Sequence, residues 1–344
     1  MSRRVVHIGP AKSKGGMSVM IDNLILNMPE NYSVRLINSH NEKNLIPKIL
    51  KWREARNKLK RMIKDNDIDI LHVHVTHSMS WWRKSNIIRV CKKRIPIIFH
   101  IHSGRFDKFC SSGFGLCGFM VRRTLLNNNI KVVLLEKRWL KLLEKWIPEN
   151  SHVISNFSMA INHKVRKINN NKLKILMLSR KSKGKRHDFA LKIARKLIKK
   201  GFDFEMIMTG LGKDSVPEDL KGVVLAKEWV TEMEKYELIN AANFLIMPSD
   251  FEGSSMSVIE SIVNGLPCIV SKPSSETIGI EELVIPLDKI EDWSQKIIDL
   301  SVPSEYERIN ELLKIQAKKY SIENNKLSIS KLYDGIIMGL NNSD

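Results

Sequence analysis

At 344 residues the chain exceeds what one ordinary hydrophobic core fills, and fits two domains of middling size. Its 43% hydrophobic and 27% charged residues exclude a disordered chain, and no apolar run reaches the ~18–20 residues that cross a bilayer. The net charge of +20 is lopsided: over Met1–Asn170, 32 Lys and Arg face 11 Asp and Glu, whereas from Asn171 onward the counts are 25 and 26. That asymmetry points to a first half that meets something anionic. Four cysteines (Cys91, Cys110, Cys117, Cys268) form neither a disulfide framework nor a zinc spacing. The N-terminus enters a strand without a secretory signal, so a reducing cytosol is the expected compartment.

In chain order, short β-branched runs predict strands at Val5–Ile8, Ser33–Ile37, Ile70–Val75, Ile95–Ile101 and Val132–Leu135. Amphipathic stretches at Met17–Leu26, Ile49–Ile63 and Trp139–Trp146 predict helices between them. The second half repeats the style. Strands are expected at Lys174–Leu178, Phe204–Met208, Val223–Ala226, Asn243–Met247 and Cys268–Ser271, with helices at Phe189–Lys200, Glu232–Ala241 and Ser257–Val263. Alternation of this kind implies two parallel sheets covered on both faces, with ligand bound outside the carboxyl ends of the strands. The polar stretch Lys164–Lys172 lacks hydrophobic periodicity and marks the boundary. It separates a domain over 1–165 from one over 166–324.

The strongest local signal is Pro248-Ser249-Asp250-Phe251-Glu252-Gly253-Ser254-Ser255-Met256, which leads from an apolar strand into a helix carrying Glu260. Pro248 stops the strand, Ser254 or Ser255 can cap the helix, and Gly265 can end it. A helix N-terminus after a glycine-bearing loop offers amide N–H groups and a positive dipole end to an anion. Glu252 and Glu260 bracket it as acceptors for hydroxyls. Phosphate on amides and hydroxyls on carboxylates is the pattern of a sugar nucleotide.

Here the chain resembles the retaining glycosyltransferases of family 4, whose donor site carries Glu-x7-Glu in this setting, and the likeness extends over nearly the whole chain. The resemblance implies the GT-B fold: two Rossmann-like domains whose parallel sheets face each other across a donor/acceptor cleft, with Asn325–Leu340 in a C-terminal segment (325–344) that packs back on the first domain. It implies that Glu260 holds the ribose and that Glu252, with Gly253, Ser254, Ser255 and Met256, holds the sugar. Lys174–Arg180 reads as a strand ending in a cation, with Lys185 beyond it; Arg and Lys there suit a diphosphate. It is similar to the family's Gly-Arg-x4-Lys-Gly element, with Ser179 and Arg186 in place of the glycines. Lys183-Gly184 offers an alternative register, so the phosphate lysine is Lys185 or Lys183.

Gly15-Gly16 opens the first helix and permits close approach of a ligand to the backbone; in the family such a loop packs near the donor phosphates. Gly210 matches a family glycine, Val230 lies where nucleobase contacts fall, and His102, at the end of a strand, can contact the transferred sugar. His72, His74 and His77 read as buried, satisfied residues, and no carboxylate or Cys at matching spacing makes the histidines a metal site. Asp67-Ile68-Asp69 precedes its strand, away from the ligand end, and reads as a solvated strand start. Since Arg180, Lys185 and the helix dipole can neutralise a diphosphate, neither metal nor cofactor is expected.

Trp-interleaved basic runs at Lys51–Arg61 and Trp81–Arg94 suit an anionic membrane surface, though such patches also bind nucleic acid. The family's first domain commonly receives a lipid-linked saccharide. That favours lipid over nucleic acid and a peripheral position on the inner face of the cell membrane. The expected activity is transfer of a hexosyl or N-acetylhexosaminyl unit from a nucleotide sugar, most simply a UDP-sugar, in capsule or O-antigen assembly. The alternatives are a non-hydrolysing sugar-nucleotide epimerase of the same fold and a non-enzymatic nucleic-acid-binding protein.

Overall fold

The computed structural model describes residues 2–11, 16–40, 45–91, 95–127, 129–159, 166–168 and 172–341. Gly15 lies outside the described residues, as does part of the polar stretch at 164–172. The chain forms two compact units, one of Met1–Asn156 with Ile322–Asp344 and one of Phe157–Ser321. The first crossing thus comes before the polar stretch, at 156/157 rather than 165/166. By Ser158 the chain already belongs to the second unit, its N–H donating to the Tyr320 carbonyl at 3.3 Å.

Unit 1 holds β1 (Arg3–Gly9), β2 (Tyr32–Asn38), β3 (Ile70–Val75), β4 (Ile97–Ile101), β5 (Ile130–Leu134) and β6 (His152–Val153). They pair in the order β2-β1-β3-β4-β5-β6, every pairing parallel. β3 and β4 are buried throughout, the signature of a sheet covered on both faces. β4 starts two residues later than its apolar run, because Pro96 has no N–H for the ladder; its carbonyl instead accepts from Leu71. The two-residue β6 is too short for any periodicity to reveal.

The helix Ile322–Asn341 belongs to this unit. Its Tyr333 is fully buried and its Asp334 accepts from the Tyr32 hydroxyl at 2.5 Å, while Asn325 donates to the Ser155 carbonyl at 3.0 Å. The segment 67–69 lies at the amino end of β3. Asp67 is paired with Arg35 and Asp69 with Arg4, and both carboxylates stay 35–36% exposed, so this solvated strand start also clamps neighbouring strands.

Unit 2 holds β7 (Leu173–Met177), β8 (Phe204–Thr209), β9 (Val224–Lys227), β10 (Phe244–Met247) and β11 (Cys268–Val270), again all parallel, in the order β11-β10-β7-β8-β9. The chain runs from β7 outward to β9, then returns to place β10 on the other side of β7. The strand order therefore reverses between β7 and β10. In an open parallel sheet, that switch point leaves a crevice outside the carboxyl ends of the two strands.

Candidate active site

The loops that follow β7 and β10 meet at the switch point. The Lys185 ammonium contacts the Glu252 carboxylate at 2.5 Å, and both side chains are largely out of solvent. Asp250 N–H donates to the Gly184 carbonyl at 2.9 Å. Phe251 lies so close to Gly184 that a Cβ there would come within 2.2 Å of its ring. Ser257, in the first turn of the next helix, donates to the Leu178 carbonyl at 2.8 Å. Lys183 is exposed, so Lys185 is the lysine that faces the glutamate loop.

Arg186, which stands at the second glycine position of the matched motif, has φ 56° and ψ 49°. A left-handed backbone explains why glycine suits this place. Arg186 is held there by ion pairs to Asp188 (3.2 Å) and Asp250 (3.1 Å). Arg180 projects into solvent from the same loop.

The turn after β8 supports this loop from the other side. Gly210 has φ +75°, and a Cβ on it would fall 2.5 Å from backbone atoms of Ser179, Arg180 and Lys181. Thr209 ties the two turns together: its Oγ1 accepts from the Ser179 N–H (2.8 Å) and donates to the Ser179 carbonyl (2.9 Å). His187, on the helix His187–Lys199, bridges the Ser179 hydroxyl and the Thr209 carbonyl at 3.0 and 2.9 Å. Val230 follows β9 and packs half-buried on the unit's core.

The helix Met256–Val263 has Ser255 at its N-cap position, but the serine side chain does not cap it. The hydroxyls of Ser254 and Ser255 are both buried and find no hydrogen-bond partner among the described residues. Two unmet hydroxyls beside uncapped amides are costly in an interior and useful at a ligand site. The other end is closed as expected. Gly265 has φ +68°, its N–H donates to Ile262, and the Leu266 N–H donates to Ser261, the paired bonds of a Schellman stop.

Glu260 sits one helical turn into the interior, 4% exposed, and meets Lys235 at 2.6 Å. Lys235 also reaches Glu232 at 2.7 Å. Burial pushes the Glu260 carboxyl above its ordinary range, partly offset by Lys235. For Lys235 burial disfavours the charge, yet the two carboxylates outweigh it and raise its pKa. Lys235 was not legible as a partner of Glu260. The Thr231…Glu234 capping box marks the start of its helix, but a contact across 25 residues has no local signal.

In unit 1, Gly16 is the first residue of the helix Gly16–Leu26. His102 lies just past β4, half-buried, at the end of a chain of imidazoles built on one face of the sheet. Register aligns His7 with His72 and His74 with His100. Tyr333 Oη lies 3.1 Å from His7 Nε2 and 2.8 Å from His72 Nδ1. His7 Nδ1 meets His74 Nε2 at 2.9 Å, and His74 Nδ1 meets His102 Nε2 at 2.9 Å. His72 Nε2 meets His100 Nδ1 at 3.1 Å, while His100 Nε2 is buried without a partner among the described residues.

Burial lowers the pKa of every ring, to about 3 for His7 and His102. All five are therefore neutral near pH 7. Nitrogens of His7, His72 and His74, and of His74, His100 and His102, come within 4.8 Å of one another, a convergence that residue spacing did not reveal. His77, by contrast, is satisfied by the Ser103 hydroxyl at 2.6 Å.

Comparison with known proteins bears on the unit that carries the switch-point loops. Residues 172–301 match the family described as Glycosyl transferases group 1. That span lies within the second unit. Over 122 residues the chain is 28% identical to EpsF of Bacillus subtilis (strain 168), a glycosyltransferase by name. That match spans 33% of this chain and only 32% of EpsF.

The fold is similar to sucrose-phosphate synthase from Thermosynechococcus elongatus (TM-score 0.72, 12% identity, 98% of this chain and 100% of that one). It is also similar to S. aureus TarM, in a complex containing UDP and α-GlcNAc-glycerol (TM-score 0.63, 17% identity, 81% of this chain and 59% of that one). The two parallel-sheet units are thus those of GT-B glycosyltransferase structures. Among the described residues no helix is long and apolar enough to cross a membrane.

Proposed function

We propose that the protein is a retaining, metal-independent glycosyltransferase of the family 4 type. It moves a hexosyl or N-acetylhexosaminyl unit from a UDP-sugar to a lipid-linked saccharide during surface polysaccharide assembly. The observation that carries this reading is the Lys185–Glu252 pair astride the β7/β10 switch point, next to the unmet Ser254 and Ser255 hydroxyls. A nucleotide diphosphate fits that arrangement. Its phosphates take Lys185 and the exposed Arg180, and the amides that open Met256–Val263 add a positive dipole end.

As Lys185 turns to phosphate, Glu252 is released to accept hydrogen bonds from sugar hydroxyls. The leaving diphosphate gains negative charge as the glycosidic bond breaks, and fixed cations at that point lower the barrier without a metal. Glu260, oriented by Lys235, accepts from the ribose, and Val230 lies by the base. UDP in the TarM complex supports the choice of nucleotide. The basic surface of unit 1 suits an acceptor carried at an anionic membrane.

Calorimetric titration of UDP, GDP and ADP without added metal tests the donor site, using wild type, Lys185→Ala and Glu260→Ala. Tight binding of one nucleotide, lost in both variants, is the expected outcome. If none binds, or if both variants bind as wild type does, the donor site is misassigned. Salt-sensitive duplex binding unaffected by either substitution would then favour the nucleic-acid reading.

A further inference from the structure

On unit 1, after β4, the helices Phe106–Ser111 and Leu116–Leu125 form a hairpin whose tip is Gly113-Phe114-Gly115. Gly118, Val121 and Leu125 are the buried residues of the second helix. Its rotation is fixed by Gly118, where a Cβ would lie 2.3 Å from the Trp146 indole nitrogen and 2.6 Å from the Cys110 carbonyl. The opposite face is therefore forced outward, and it is apolar: Leu116 is 61% exposed, Phe119 60% and Met120 44%. Phe114 at the tip is fully exposed.

Phe114 is also strained. Its φ of 52° lies between two glycines of φ +61° and +84°, and an aromatic residue in that region is a genuine outlier. The ring is fully exposed, so burial among the described residues does not repay the conformation, whereas Gly or Asn would relax it. A strained, wholly exposed aromatic acquires value only against something outside the chain.

The charge around it names the partner. Arg122 and Arg123 follow the apolar face on the same helix, Arg105 precedes the first helix and Lys108 lies in it, and Asp107 is the one acidic residue between Ser103 and Leu135. An apolar wedge with a cationic collar is the composition of a segment that enters the boundary between headgroups and acyl chains.

We infer that the 113–120 tip inserts into an anionic lipid bilayer, with Phe114, Leu116, Phe119 and Met120 among the acyl chains and Arg122 and Arg123 on the headgroup phosphates. The inference deepens the proposed function, resting on it only for the placing of the acceptor at a membrane.

Flotation of the full-length protein with phosphatidylcholine vesicles, with and without phosphatidylglycerol, tests the insertion. Wild type is expected to float with the phosphatidylglycerol vesicles, and Phe114→Asn and Phe119→Ser each to weaken that association about tenfold. Phe114→Asn should at the same time melt no lower than wild type, because Asn tolerates the left-handed backbone. A merely structural role for the ring would lower both together.

Flotation unchanged in both variants overturns the inference, as does absence of wild-type flotation. So does a concentration-dependent dimer in sedimentation that Phe119→Ser abolishes, which would mean a second copy covers the face. UDP titration of the same variants separates the two proposals. Lost flotation with intact UDP binding supports insertion, whereas intact flotation in a protein that binds no nucleotide overturns only the proposed function.

Discussion

Lowering the pH from 7.5 to about 5 should unfold the first unit, and the magnitude follows from its five linked imidazoles, four buried and His102 half-buried. Each has a folded pKa well below the 6.5 of an unfolded histidine. Below pH 6.5 the unfolded chain therefore binds protons that the native chain refuses, and stability falls as pH falls. The stabilisation is fully present above 6.5 and does not depend on how far each ring is depressed, provided its pKa stays below the working pH. At about pH 5 the loss is roughly 2 kcal/mol for each ring, or about 10 kcal/mol for five acting alike, against a typical domain stability of about 5–15 kcal/mol.

Two further histidines of the unit, His77 and His152, have pKa values lowered by burial and add to the loss in the same direction. Lys84, whose ammonium donates to the His74 carbonyl at 2.5 Å, has its pKa lowered by burial to about 7, so its contribution is constant below that value. Asp67 and Asp69 titrate below 3.8 and weaken the fold only in stronger acid. Urea titrations between pH 7.5 and 5, followed by tryptophan fluorescence, measure the slope. The fully buried Trp81, packed on Phe99, reports unit 1. Near pH 5.5, unfolding should take up about four to five protons. Stability that is flat from pH 7 to 5, or uptake of less than about one proton, would show that the rings are not held neutral and would refute the reasoning.

Three further outcomes are expected in unit 2. Lys235→Met leaves Glu260 buried beside no cation and should cost about 3–5 kcal/mol in urea denaturation, most of it recovered in the Lys235→Met/Glu260→Met double variant. Gly210→Ala should cost about 1–2 kcal/mol for the left-handed backbone alone. It should also weaken UDP binding by roughly tenfold or more, because the new methyl displaces the Ser179–Lys181 backbone. Arg186→Gly should leave the melting temperature nearly unchanged, since relief of the left-handed strain offsets the lost surface ion pairs, whereas Arg186→Ala keeps the strain, loses the pairs and should melt lower.

The parallel architecture was legible because buried β-strands announce themselves as short apolar runs: Ile70–Val75 was placed to the residue, and Glu232–Ala241 likewise as a helix. The hairpin helices Phe106–Ser111 and Leu116–Leu125 were not, since an outward apolar face blurs the period that marks an amphipathic helix. The switch-point loop was legible for the same local reason: Pro248, Gly253 and the serines are punctuation. Long-range pairings lay out of reach. Nothing in the string says that Lys185 meets Glu252, that Lys235 meets Glu260, or that Tyr333 closes a chain of imidazoles.

Arg186 shows the same limit from the other direction. Read as a letter, it departs from the motif and weakens the match; read as a backbone, it keeps the glycine conformation that the motif exists to specify. A motif is a record of the φ/ψ values and contacts a site requires. A residue that meets those requirements by other means, here two aspartate ion pairs, preserves the loop conformation while breaking the pattern.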